Sequence, residues 1–144
     1  MVLPDVNILV YAFRREHPQH AAFRRWVERM LAGPEAYGMS DLVLSGFIRV
    51  VTHPRVFAHP DTFEAALAFA TVIRDQPQRV AVVPGSRHWA IFSDICARSG
   101  ARGNLVSDAF YAAMAIESGC EWITTDHDYA RFPGLRWRHP LDND

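Results

Sequence analysis

The chain contains no lysine, and all fifteen of its fixed cations are arginines. An aspartyl nucleophile of the phosphatase or phospho-acceptor kind wants a second acid and a well-placed amine beside it. Asp5-Val6-Asn7 offers Asn7 where that acid would stand, and there is no lysine to supply the amine, so this chemistry is set aside. Cysteine is nearly as scarce. Cys96 and Cys120 lie in apolar contexts with no C-x-x-C pairing, and they read as small, buried, reduced thiols. Zinc binding and redox catalysis have no support in that pattern. No apolar run approaches the ~18 residues that a bilayer span needs. The opening Met1-Val2-Leu3-Pro4-Asp5 lacks a basic region, which argues against a signal peptide and makes the cytoplasm the expected location.

Other signatures are missing too. No repeat or low-complexity stretch is visible, and Gly85, Gly100 and Gly103 do not make a phosphate-cradling loop. The seven histidines show no metal-ligand spacing, and no Ser/His/Asp or Cys/His arrangement stands out. The net charge is only −1, so charge balance by itself does not indicate a nucleic-acid partner. Yet every cation is a guanidinium, the group that grips phosphate bidentately. Arg14-Arg15 and Arg24-Arg25 with Arg29 form the local clusters; the second reads as the solvated face of a helix.

What is present is an ordinary globular composition, 49% hydrophobic and 22% charged over 144 residues. That suffices for one domain, 1–144, with its own core and order lost only at 142–144. Apolar periodicity alternates between strand-like and helix-like runs. Strands are expected at 1–3, 36–39, 79–83, 121–124 and 135–137. Helices are expected at 7–13; through Phe23, Trp26, Val27, Met30 and Leu31; from an N-cap at Ser40 to Val51; and at 61–73, with Phe63, Leu67, Ala70 and Ile73 inward. Two more begin at N-caps Ser86 (with Trp89, Phe92 and Cys96 on one side) and Ser107, the last running to Gly119. Strands separated by helices predict crossover connections and a mostly parallel sheet covered on both faces. In such sheets ligands bind beyond the carboxyl ends of the strands.

That rule directs attention to the acids at those ends. Asp5 follows the first strand, and Asp126 follows the fourth. Asp108 is expected at the first position of a helix leaving the sheet. Each has a plain alternative: Asp5 as an N-cap, Asp108 as a helix-dipole residue, Asp126 as a turn former with Asp128 capping the short segment after it. Their combination carries more. Carboxylates sharing one cleft repel each other until a cation neutralises them. All-oxygen donors suit a hard ion such as Mg²⁺ or Mn²⁺, which orients a water and polarises a phosphoryl oxygen.

Three stretches, in order, carry a resemblance. Leu3-Pro4-Asp5-Val6-Asn7-Ile8-Leu9 resembles the opening motif of PIN domains, an apolar strand followed by D-x-N/S. Val106-Ser107-Asp108-Ala109, leading into an alanine-rich helix, resembles their third acidic motif. Ile123-Thr124-Thr125-Asp126-His127-Asp128-Tyr129 resembles their closing T-x-D-x-D-[FY] motif. The match runs from end to end and is most similar to VapC-type toxins, as is the stretch from Ser45-Gly46-Phe47-Ile48-Arg49 to Val56-Phe57. The resemblance implies a three-layer α/β fold with a parallel central sheet flanked by helices. It implies a Mg²⁺-dependent endoribonuclease (Mn²⁺ being the alternative ion) that cuts structured RNA such as tRNA or rRNA. A VapB-type antitoxin would neutralise it, and the active form would be a homodimer.

On that reading Asp5, Asp108 and Asp126 hold the metal and, with Asp128, carry catalysis, while Asn7 and Ser40 contact substrate. His127, between two of the acids, is within plausible reach of substrate. One position departs from the pattern. The family usually places a glutamate three residues before an arginine in the helix after the second strand; Arg49 is present, but Gly46 stands where the acid should be. Asp41, five residues earlier, reads as a first-turn dipole residue. The departure motivates a second reading, a PIN-fold module that binds RNA or protein with little hydrolysis.

Overall fold

The computed structural model describes residues 1–142; of the tail expected to lose order, Asn143 and Asp144 lie outside the described residues. Asp142 is held through its amide to the His139 carbonyl. The order of elements is β1 (Val2–Pro4), α1 (Val6–Phe13), α2 (His20–Ala32), β2 (Tyr37–Met39), α3 (Asp41–Val51), α4 (Phe63–Arg74) and β3 (Arg79–Ala81). Then come α5 (His88–Ser99), α6 (Asn104–Ser118), β4 (Glu121–Ile123), a 3₁₀ helix (His127–Arg131) and β5 (Trp137–Arg138).

Every strand pairing is parallel. β4 lies between β1 and β5, with Leu3 opposite Trp122 and Trp122 opposite Trp137; β2 pairs with β3, Gly38 opposite Val80. The two ladders sit side by side. A methyl group on Gly38 would lie 3.0 Å from Val82 Cγ2, 3.1 Å from Cys120 Sγ and 3.5 Å from the Val2 carbonyl oxygen. Glycine is what lets these backbones approach. The result is a parallel sheet with helices as crossovers, as the alternating periodicity predicts.

The core explains the helices. α1 buries Ile8, Leu9, Val10 and Ala12, nearly all its circumference, as a helix enclosed by others must. Trp122 is fully buried under two rings, Tyr111 at 5.7 Å and Tyr129 at 5.5 Å between centroids. Phe13, Phe47 and Phe69 form a second aromatic knot, with centroids 5.0–5.4 Å apart. That knot rotates α4 part of the way from the expected face: Ala70 and Ile73 are buried as expected, but Phe63 and Leu67 are exposed and Ala66 is buried in their stead. Small residues let α4 lie close to its neighbours, and its large apolar contact is delivered by Phe69.

Both expected serine caps of the carboxyl half are corrected. Helix α5 starts at His88, and Ser86 makes no cap bond; instead Glu117 of α6 accepts from the amides of Gly85, at 2.6 Å, and Arg87, at 2.9 Å. A carboxylate from elsewhere in the chain does the work of a local hydroxyl. Trp89 is exposed, and α5 buries His88 and Ile95, the His88 ring bonded to the Phe110 carbonyl at 2.9 Å. Helix α6 starts at Asn104 after Gly103, whose φ of 56° suits glycine, so Ser107 lies inside the first turn and does not cap. The last strand is Trp137–Arg138, not 135–137.

Gly38→Ala tests the close approach of β2 to its neighbours. The added methyl is expected to cost about 1–3 kcal/mol, because Val82 and Cys120 are themselves packed. Urea denaturation should show a lower midpoint with an unchanged slope.

Candidate active site

The register of β1 and β4 brings two of the acids to one edge. Pro4 pairs with Ile123, and the Asp5 amide extends the ladder by donating to the Ile123 carbonyl at 2.8 Å. Asp5 caps α1, as a local reading suggests, but the cap is only part of its setting. Its Oδ1 accepts from the Val6 amide at 2.6 Å, and its Oδ2 accepts from the Thr124 hydroxyl at 2.6 Å. Thr124 Oγ1 in turn accepts from the Asp126 amide at 3.1 Å. One threonine thus ties Asp5 to the loop that carries Asp126. Asn7, on the first turn of α1, donates from its amide to Thr125 Oγ1 at 3.0 Å, and its buried Oδ1 meets no partner among the described residues.

Asp108 comes from the second turn of α6, not its first position, so the full pull of the helix terminus does not explain it. It receives a long hydrogen bond, 3.4 Å, from the Tyr129 hydroxyl. Asp126 caps the 3₁₀ helix by accepting from the Asp128 amide at 2.9 Å, a role the sequence assigned to Asp128. Asp128 itself is exposed and pairs loosely with Arg131 at 3.9 Å. Ser40, at the end of β2, is buried, and its hydroxyl oxygen caps α3 through the Leu42 amide at 3.1 Å. Asp41 is on the first turn of α3 as expected, paired there with Arg74 and Arg79. His127 is exposed and sets its ring edge against Trp137.

The carboxylates feel one another. Burial pushes the Asp5 carboxyl up to about 6; its bonds to Thr124 and Val6 pull the other way, and the charges of Asp108 and Asp126 add to the rise. Asp108 is raised by burial first and then by Asp126, with Asp128 contributing. Tyr129 is pushed well above the usual phenol range by burial and then by Asp5, Asp108 and Asp126. Three acids from distant parts of the chain therefore share one region of negative potential. Among the described residues no three His, Cys, Asp or Glu side chains close into a ready-made metal cage. A hard ion that keeps several waters asks for only one or two carboxylates. The all-oxygen donors and the unpartnered Asn7 oxygen fit such an ion.

Three residues of this region were not picked out from sequence. Thr124 and Tyr129 lie inside the closing motif and were legible there as neighbours of the acids. Tyr111, whose phenol is raised by burial and by Asp5 and Asp108, had no sequence signal. A groove of about 1080 Å³ elsewhere, lined by Phe13, Phe57 and Phe69 with Arg14 and Arg24, contains none of these acids. Charge and donor type, not cavity size, mark the candidate site.

Burial of Asp5, with the repulsion of its neighbours added, makes a prediction about pH. A carboxyl raised in the folded state holds its proton there more firmly than in the unfolded chain, so stability falls as pH climbs from about 4 to about 6 and stays low above. The shift corresponds to about 3 kcal/mol at most. Urea melts in EDTA should show this decline, and Asp5→Asn should flatten it.

With the geometry described, comparison with known proteins is informative. The PIN domain family matches residues 2–135. Ribonuclease VapC43 of Mycobacterium tuberculosis is 42% identical over 142 residues, covering 99% of this chain and 97% of that protein. VapBC2 of Rickettsia felis, solved bound to a DNA fragment from its promoter, aligns with a TM-score of 0.68 at 17% identity, over 96% of this chain and 98% of that one. The sarcin-ricin-loop-cleaving toxin VapC20 of Mycobacterium tuberculosis aligns at 0.65, also at 17% identity, over 94% and 99%. At those identities the two structures speak to the fold alone. The family match and the full-length relative together settle the lineage: this chain belongs to the PIN domain family, among its VapC ribonucleases.

Proposed function

We propose that the protein is a Mg²⁺-dependent endoribonuclease toxin that cleaves structured RNA in the cytoplasm and is held in check by a cognate VapB-type antitoxin. The observation that carries the reading is the buried Asp5 carboxylate at the β1–β4 edge, tied through Thr124 to the Asp126 loop and raised by burial and by the charges of Asp108 and Asp126. Asp5 and Asp108 would hold Mg²⁺ (or Mn²⁺), and Asp126 would complete the set. When bound, the ion would neutralise the carboxylates, acidify a water and polarise the phosphoryl oxygen. Asp126, supported by Asp128, would orient the attacking water and accept its proton. Asn7, with its unpartnered oxygen, would orient a ligand in the cleft. Ser40, buried and used in the α3 cap, would act on ligands only indirectly, by fixing the start of α3. Water adds to phosphorus and the 3′ oxygen leaves, giving a 5′-phosphate and a 3′-hydroxyl.

Structured RNA is proposed as substrate because the relatives are named ribonucleases and one solved neighbour is titled as cleaving the sarcin-ricin loop. The antitoxin and a homodimeric form are proposed from the same lineage, a VapBC assembly being among the neighbours. Gly46 favours the second reading, an RNA-binding module with little turnover.

The deciding experiment is cleavage of tRNA and rRNA fragments with Mg²⁺ and with EDTA. The parent should turn over repeatedly with Mg²⁺ and stop with EDTA. Asp5→Asn and Asp108→Asn should each lower the rate by at least about a hundredfold. Tight RNA binding without metal-stimulated turnover would instead select the binding module, and unaltered cleavage by both variants would refute the site.

A further inference from the structure

The position where an acid was expected is occupied by a different chemistry. A Cβ built on Gly46 of α3 would lie 2.9 Å from Val6 Cγ2 and 3.3 Å from the Tyr111 hydroxyl. A longer side chain cannot enter there until Val6 or the phenol moves. The space beside the acids is therefore filled by Tyr111, which reaches across from α6. Its ring is fixed by stacking on the buried Trp122, with planes 20° apart, so the hydroxyl is aimed by the core. The only acceptor the hydroxyl meets among the described residues is the Leu42 carbonyl at 3.5 Å, the outer limit of a hydrogen bond. Tyr111 also lines a shallow opening of about 300 Å³ with Leu42, Val106 and Ser107, which makes it reachable from solvent.

The electrostatic setting decides what this hydroxyl can do. Burial and the charges of Asp5 and Asp108 push the phenol up, so it keeps its proton, while Arg49 acts on it in the opposite sense. A glutamate at this place would add a negative acceptor suited to a cation. A neutral phenol that feels the charge of Arg49 on the exposed face of α3 offers a donor in a positive field, suited to an anionic oxygen.

We propose that Tyr111, in the room left by Gly46, is a substrate-binding residue that donates a hydrogen bond to a phosphate oxygen of the RNA. This edge of the cleft would then hold substrate and not metal. The inference rests on the proposed ribonuclease reading.

The test separates metal from RNA. Mn²⁺ binding is followed by electron paramagnetic resonance, and binding of a fluorescein-labelled RNA stem-loop by anisotropy in Ca²⁺, the RNA checked intact on a gel afterwards. Tyr111→Phe keeps the ring on Trp122 and removes only the hydroxyl. It is expected to melt within a few degrees of the parent, to bind Mn²⁺ within about twofold of the parent, and to bind the stem-loop about tenfold more weakly. Arg49→Ala, on an exposed position, should weaken RNA binding several-fold with the same indifference to Mn²⁺. RNA affinity unchanged in both variants would overturn the proposal, as would a loss of Mn²⁺ affinity in Tyr111→Phe with RNA affinity intact. A parent that binds neither Mn²⁺ nor RNA would instead sink the ribonuclease reading itself.

Discussion

The arrangement depends on a buried carboxylate kept where water would not leave it unaided. Asp5 is 7% exposed, and its two oxygens each accept one short bond, from the Val6 amide and from the Thr124 hydroxyl. Those bonds favour the charged form; burial and the neighbouring acids oppose it, and the opposition is larger. The protein therefore stores an unmet demand for positive charge at the end of β1. A group strained in this way toward a missing counter-charge is a sign of function more than of stability.

The scaffold exists to keep that demand in place. The parallel pairing of β1 with β4 sets Asp5 beside Thr124, and the Thr124 hydroxyl links the two strand ends. Trp122, on β4, supports Tyr111 and Tyr129 on its ring, so that the phenols flank Asp108 and its surroundings from α6 and from the 3₁₀ helix. Glycine at 38 allows the second ladder to close against the first, and glycine at 46 leaves room for a phenol. Packing in the core and polarity at the rim are thus two ends of the same side chains.

Membership of the PIN domain family gives this geometry its chemical context, and the departure at Gly46 gives it individuality. On the proposed reading, the absence of a carboxylate at 46 would leave that edge less suited to a cation, and the Tyr111 donor in its place would serve phosphate.

Much of this was legible in the residues alone. The alternation of strand-like and helix-like runs determined a parallel α/β fold, because the two periods demand opposite burial patterns. The three acidic motifs, in order, determined which aspartates to examine, because strand ends of a parallel sheet share one edge. Local signals failed where a distant group took over. Glu117 fixes the amides leading into α5 where Ser86 was expected to cap, and Gly103 let α6 begin a turn before Ser107. The aromatic knot around Phe69 shifted the buried face of α4, keeping Ala70 and Ile73 inside and leaving Phe63 and Leu67 outside. Only the tertiary structure showed that Thr124 couples Asp5 to the Asp126 loop, and that Tyr111 stands in the room of Gly46. Both are contacts between residues more than sixty positions apart, and their cause is the meeting of strands and helices in space, which no local pattern encodes.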